Sequence, residues 1–379
     1  MAGRSGVSRL RSRWLAVSPA VRTVVLLFAA ARLVTFFIAW VISGLRPGLV
    51  ITEVLTDWDG NWNELVANDL YSPLGAEWPS PHMKLAFFPL LPVTVHVLHV
   101  VTGVGVHVIG PVLAIAISCA AFVVLARYLA GKVGDEIAVM ACTLMLFSPN
   151  AFVFSMFYTE GLFLLLATLT LRSLDDRRWV RAGLLALLAG LSRPTGFVLF
   201  VPCVVAAVIE LRRDSGARRA LIAPLLAPLG FIGWLAYVAH TTGEIGGYFT
   251  IQRVAWKAQI DGGAAFVRGV GDLFQLGDHN LDVKLSVLAV LLLGVGGVWL
   301  AMRQRMNPVW IVFAAALVVI TAVNERQASG WRFLLPAFPL FVAWARAIPR
   351  RYQSMVVAMS AVVMGAMFYV SIAEQVYTP

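Results

Sequence analysis

Apolar positions in this chain come in long runs. Stretches of roughly 15 to 25 residues recur between Val21 and Ile372, each close to the length a helix needs to cross a hydrocarbon core of roughly 30 Å. The pattern predicts an all-α polytopic membrane protein, with a first span over residues 21–44, a second over 106–130 and about eleven crossings in all. The first run is too long for a signal-peptide core and is followed by no clear small-residue cleavage site, so it is expected to stay as a helix. Two stretches break the rule. Residues 86–103 carry Pro89 and Pro92 and then His96 and His99, which predicts an interfacial or re-entrant helix packed against protein. Residues 182–191 and 197–209 are short runs separated only by Ser192-Arg193-Pro194-Thr195-Gly196. Such a pair is expected to stop at a cavity. No repeat of fixed period is visible.

Polar positions orient these runs. Basic residues cluster between them as Arg172, Arg177, Arg178 and Arg181; Arg212, Arg213, Arg218 and Arg219; Arg303 and Arg305; and Arg346, Arg350 and Arg351. Cytoplasmic loops collect Lys and Arg. With these clusters inside, residues 1–20 form a basic cytoplasmic tail and residues 21–379 a single transmembrane domain. Residues 45–105 form the first extracytoplasmic loop and residues 241–283 a second large one, and the C-terminus lies outside.

Composition adds three exclusions. The chain is 60% hydrophobic and 13% charged, with a mean hydropathy of +0.82, so its length does not translate into soluble domains. Its formal charge of +10 is dispersed in topology clusters, which argues against nucleic acid as a partner. Cys119, Cys142 and Cys203 all fall in apolar runs and support neither a disulfide framework nor a metal cluster. Only four of the thirty basic residues are Lys, and Ala and Val abound, as in a GC-rich bacterium. The expected location is the bacterial cytoplasmic membrane.

Candidate chemistry gathers in the outer loops. Asp57 and Asp59 lie in Leu55-Thr56-Asp57-Trp58-Asp59-Gly60-Asn61-Trp62, just beyond the first span. Trp58, Trp62, Leu65 and Val66 have the spacing of one helical face, which predicts a loop helix with its tryptophans at headgroup level. Asn61 with Glu64 resembles a capping box that starts this helix at about Trp62. Either Asp is then a helix cap, or a base that takes a proton from an acceptor hydroxyl. Arg193 lies between two spans, where a charge needs water, a partner or a ligand. It fits a phosphate grip or an ion pair with Glu160, and the same choice holds for Arg326 and Arg332. Lys84 and His82 precede the proline-rich element and are placed to reach the same cavity. His96 and His99 complete no metal site and read as hydrogen-bonded structural histidines. No nucleotide loop is present, so the energy for any reaction outside must arrive in a lipid-linked compound.

Together these residues resemble a known family. Asp57-Trp58-Asp59-Gly60, then Leu70-Tyr71, then Ala86-Phe87-Phe88-Pro89-Leu90-Leu91-Pro92 is similar to the first lumenal loop of the PIG-V family of mannosyltransferases. Ser148 to Phe163, which contains Tyr158-Thr159-Glu160, resembles its Tyr-Ser-Glu segment. Ser192 to Gly196 resembles its Arg-x-x-Gly turn, and Trp331-Arg332-Phe333 through Pro339 its late Arg-Tyr element. The chain departs at Thr159, at Phe333 and after Asp59, where the family's His-Phe is missing. The resemblance implies the GT-C architecture, a multispanning glycosyltransferase that takes sugar from a polyprenyl-phosphate carrier outside the cytoplasm. It implies Asp59 as catalytic base with Asp57 beside it. By the resemblance Arg193 and Arg332 would contact the donor phosphate and Tyr158 and Glu160 would line the cavity; from their placement in the outer loops Arg326 and Lys84 are further phosphate candidates, and Trp58, Trp62, Tyr71 and His82 further candidates for the cavity and acceptor. Implied partners are a polyprenyl-phosphate-mannose donor, a lipid or glycan acceptor of the cell envelope, and membrane lipids. The implied reaction is inverting and requires no cofactor, although a divalent metal bridging Asp57 and the phosphate stays open. Two rival readings are a flippase for a lipid-linked sugar and a non-catalytic subunit. Gathering of the polar residues on one face, with no internal repeat, favours an enzyme over a transporter.

Overall fold

The computed structural model describes residues 18–46, 48–274 and 281–374. Most of the basic tail, through residue 17, and residues 275–280 of the second large loop lie outside the described residues. Regular structure among those described is helical, apart from one isolated antiparallel bridge between Ile260 and Asn324.

Helix α1 (Pro19–Leu45) opens on a Ser18 cap with Pro19 in its first turn. Pro suits that position because its missing N–H would have no helical partner anyway. The first outer segment holds α2 (Ile51–Thr56), α3 (Asp59–Asp69) and α4 (Leu90–Thr102), and α5 (Val106–Val133) follows. At 13 residues α4 spans only about 20 Å, short of a bilayer core. It packs against α3 and α5. His96 Nδ1 lies 2.8 Å from the Ala67 carbonyl and His99 Nδ1 2.7 Å from that of Val104, so both histidines are engaged by backbone.

The core continues through α6 (Asp135–Leu146), α7 (Glu160–Asp175), α8 (Trp179–Gly190), α9 (Phe200–Arg213), α10 (Ile222–Leu226) and α11 (Leu229–Thr242). Next come α12 (Gly247–Trp256) and α13 (Ala264–Asp272) in the second outer segment. The chain closes with α14 (Leu281–Ala289), α15 (Gly297–Arg303), α16 (Pro308–Ala322), α17 (Gly330–Leu334), α18 (Phe338–Ala347) and α19 (Arg350–Tyr369). Among the described residues, six helical segments are long and apolar enough to cross a membrane: Pro19–Leu45, Val106–Val133, Pro194–Arg213, Arg218–Thr242, Asp282–Arg303 and Arg350–Glu374. Leu90–Thr102, Trp179–Gly190, Pro308–Ala322 and Phe338–Ala347 are shorter apolar helices. The short-run pair is half corrected: α8 is short and stops at the Ser192–Gly196 turn, but the second run is extended by a 3-10 segment, Pro194–Leu199, that leads straight into α9, and together they are long enough to cross.

Two expectations for the first outer segment need correcting. Helix α3 begins at Asp59 rather than Trp62, and the Asn61–Glu64 pair does not cap it. Trp58 takes a positive φ of 56°, and Asp57 accepts its backbone N–H at 2.8 Å and the Asn61 side chain at 3.2 Å. That turn starts the helix early and leaves the Asp59 N–H to the Tyr158 hydroxyl, 3.2 Å away. Nor do Trp58 and Trp62 form an outward stripe. Trp58 donates its indole N–H to the Ser371 carbonyl at 3.2 Å, Val66 is fully buried, and Trp62 packs among Trp78, Phe87 and Trp256.

Candidate active site

Four stretches far apart in sequence are stitched together at one end of the bundle. Asn63 in α3 donates to the Phe157 carbonyl at 2.9 Å, and the Phe157 N–H donates to Leu55 at 2.9 Å. The Leu90 N–H at the start of α4 donates to Leu191 at 3.0 Å, next to the Arg193 turn. Trp331 donates its indole N–H to Ser148 at 2.8 Å, tying α17 to the segment before Tyr158. Glycines make room where the backbone closes up. A Cβ on Gly161 would fall 2.0 Å from Ser118 Oγ of α5, and one on Gly196 1.9 Å from the Ala189 carbonyl. Without these two, Glu160 and Arg193 could not be held this close to their neighbours.

Around that stitching sit two carboxylates and two guanidiniums. Arg332 Nη1 lies 2.7 Å from Asp59 Oδ2, and Arg332 Nε lies 3.2 Å from Glu160 Oε1. Arg193 Nη1 reaches the same Glu160 oxygen at 3.0 Å. Glu160 opens α7, where the helix dipole favours a negative charge. Its side chain is 2% exposed, whereas that of Asp59 is 37% exposed. Asp59 is therefore the member of the group that faces out.

Aromatic rings flank the charges. Phe333 lies beneath both guanidiniums, 5.5 Å from Arg193 and 5.2 Å from Arg332. Phe163 adds a second ring to Arg193 at 5.7 Å, and Tyr158 one to Arg332 at 5.2 Å. Such contacts stabilise desolvated cations, and Arg suits them better than Lys. Burial pushes the Tyr158 pKa well above the ordinary tyrosine value, with the Asp59 charge adding to the effect. The hydroxyl stays protonated, accepting from the Asp59 N–H and donating to the Asp57 carbonyl. Burial by itself would lower the Arg332 pKa, but Asp59 and Glu160 raise it above the ordinary arginine value.

The pairing is incomplete. Arg193 Nε, Arg193 Nη1, Arg332 Nε and Glu160 Oε2 are buried with no hydrogen-bond partner of good geometry, although two of these nitrogens lie within ion-pair distance of Glu160. Buried guanidinium N–H groups without an aligned acceptor are costly and suited to an incoming anion.

Of the sequence-predicted residues, Asp59, Tyr158, Glu160, Arg193 and Arg332 are thus brought together. Asp57 and Trp58 form the adjoining turn. Lys84 goes elsewhere: its ammonium pairs with Asp69 at 2.5 Å and Ser72 at 3.1 Å. Tyr71 donates to the Phe87 carbonyl at 2.9 Å and packs on Trp234. Trp62 stacks on Phe87 with centroids 5.6 Å apart. His82 and Arg326 are half-buried, and among the described residues no contact joins them to the charged group. Phe333 and Phe163 were missed as site residues. The one signal for Phe333 was its place beside Arg332, where it read only as a departure from the family.

No protein-family model and no curated protein matches the chain. Solved structures do. ArnT from Cupriavidus metallidurans bound to undecaprenyl phosphate superposes with a TM-score of 0.56 at 16% identity, over 92% of this chain and 65% of that one. The archaeal oligosaccharyltransferase AglB from Archaeoglobus fulgidus, in complex with an inhibitory peptide and a dolichol-phosphate, gives a TM-score of 0.40 at 14% identity, over 91% of this chain and 56% of that one. The chain thus spans just under two thirds of the ArnT chain. The all-helical, multispanning architecture and its likeness to ArnT make the fold that of the GT-C class.

Proposed function

We propose that this protein is an inverting, polyprenyl-phosphate-dependent mannosyltransferase of the PIG-V-like kind, acting on a lipid-linked glycan or another cell-envelope acceptor. It works at the outer face of a bacterial cytoplasmic membrane, with its N-terminus in the cytoplasm. The observation that carries the reading is a half-exposed carboxylate, Asp59, beside two buried guanidiniums whose N–H groups are only partly satisfied. The resemblance in sequence and the ArnT-like fold support it.

The chemistry follows from that arrangement. As the acceptor oxygen bonds to the anomeric carbon of the donor, its proton passes to Asp59. The bond from that carbon to the phosphate oxygen breaks, the electron pair leaves with the phosphate, and polyprenyl phosphate is released. Attack opposite the leaving group inverts the anomeric configuration. Arg193 and Arg332, themselves buried, neutralise the charge that grows on the leaving phosphate. In the ground state two carboxylates balance two guanidiniums. A phosphodiester adds a negative charge, so one carboxylate must yield its arginine, and the exposed Asp59 is the one free to swing out and meet the acceptor. Glu160 stays and holds both arginines in place. The phosphate is already a good leaving group, so no metal enters these steps.

The test is transfer of labelled mannose from polyprenyl-phosphate-mannose to extracted membrane lipids by purified protein in nanodiscs. Product that disappears with Asp59→Asn supports the reading. Undiminished transfer by that variant removes Asp59 as base, and no transfer from the mannosyl donor by the wild type overturns the mannosyl assignment.

A further inference from the structure

A second collection of arginines lies at the other end of α8 from Arg193, about 18 Å away along a 12-residue helix. There the chain turns sharply through Arg177, whose φ is 55°, and places Arg177 and Arg178 side by side ahead of Arg181. Between α8 and the Arg218–Leu226 segment runs a groove of about 590 Å³ lined by Trp179, Val180, Leu184, Leu185, Leu188 and Ile222, with Arg177, Arg178, Arg181 and Arg219 around it. The two segments that flank it approach each other closely. A Cβ on Gly183 would lie 2.8 Å from Leu226 Cβ and 3.2 Å from Ala223 Cα, so small residues bring the backbones together while the leucines above them form the walls.

The arginines here are not balanced as Arg193 is. Arg177 is 3.2 Å from Glu210, but among the described residues no carboxylate lies within ion-pair distance of Arg178, Arg181 or Arg219. Neighbouring acids are already engaged, Asp175 by Lys132 at 2.8 Å and Asp176 by Arg172 at 4.0 Å. Three exposed, uncompensated guanidiniums at the mouth of an apolar groove call for an amphiphile with an anionic head. A soluble anion would leave the walls unused, and a neutral lipid would leave the charges unused. The arginine pattern also assigns this end to the cytoplasmic side, where anionic headgroups attract basic clusters.

We infer that this groove binds an anionic phospholipid of the bilayer, its headgroup phosphate on Arg178, Arg181 and Arg219 and its acyl chains along Leu184, Leu188 and Ile222. The site is separate from the charged group at Asp59 and does not depend on the reaction proposed there.

Native mass spectrometry of the full chain, released from nanodiscs of equal phosphatidylglycerol and phosphatidylcholine, tests it. The wild type should retain phosphatidylglycerol in preference to phosphatidylcholine. Arg178→Gln/Arg181→Gln/Arg219→Gln should retain at least fivefold less. Leu184→Trp, which fills the groove and keeps every charge, should do the same, whereas Asp59→Asn should retain as much as the wild type. Equal retention of the two lipids overturns the inference. So does unchanged retention in both groove variants, or retention of added polyprenyl phosphate with none of phosphatidylglycerol.

Discussion

At one end of α8, Arg193 is buried, lies 3.0 Å from Glu160 and rests on two phenylalanine rings. At the other, Arg178 and Arg181 are exposed and stand over an apolar groove. Both sets flank apolar runs, yet they do different work. Exposed arginines cost little, because water or headgroups solvate them. A buried one is tolerable only with a counter-charge, and Glu160 supplies it for two arginines at once. The difference teaches that an arginine's role in a membrane chain depends on which carboxylates fold against it.

The sharpest way to break this comparison is to ask whether the two ends lie on opposite sides of the membrane. Cysteines introduced at exposed Ala76 and Ser215 should react with a membrane-impermeant maleimide in intact cells at Ala76→Cys only. Labelling at Ser215→Cys alone would invert the topology and place the charged group in the cytoplasm. The next largest effect is expected at Asp59. Asp59→Asn should lower turnover by about 10²- to 10⁴-fold, the range for a lost general base. It should also leave donor affinity unchanged or tighter, since it removes the carboxylate that competes with phosphate for Arg332. Weaker donor binding in titrations would show that Asp59 positions donor instead.

Glu160→Gln removes the one charge shared by both buried arginines. Breaking a buried pair costs about 3 to 5 kcal/mol, which should appear as a clear drop in the unfolding midpoint in nanodiscs. The triple groove variant, all of whose arginines are exposed, should barely move that midpoint. Arg193→Lys keeps the charge but loses the planar fork, and should weaken donor binding by roughly tenfold, about 1.4 kcal/mol. An unchanged dissociation constant would leave Arg193 a structural partner of Glu160 and no more.

Hydropathy alone placed α1 and α5, because bilayer thickness is a constraint each segment meets by itself. It named both arginines and both carboxylates of the charged group for a similar reason, since a charge in an apolar chain stands out one residue at a time. What it could not supply was pairing. Arg332 meets Asp59 from the far end of the chain, and Trp62 meets Trp256 across several helices, so the headgroup stripe predicted for Trp62 failed where a distant partner competed. Local geometry failed in the same way at Asp57, whose bonds to Trp58 and Asn61 depend on a positive-φ turn that the capping pattern did not reveal.

Lys84 gives the smallest and most specific test of such pairing. The sequence sends it towards phosphate, but the structure gives it to Asp69. What burial Asp69 feels would raise its pKa, but the Lys84 and Ser72 hydrogen bonds and the Lys84 charge outweigh this and hold it below the ordinary carboxylate value. A carboxylate with a depressed folded pKa contributes stability above its unfolded value, near 3.9, and loses it as pH falls through the folded value. Asp69→Asn should therefore be less stable than wild type at pH 7, and the gap should close only below about pH 4. Because the Asp69 side chain is 57% exposed, solvent and salt screen the pair, and the gap should be about 1 kcal/mol or less and shrink with added salt. A gap that persists unchanged in acid would mean that Lys84 draws its stability from packing against Leu85 and its neighbours, freeing its charge for the donor after all.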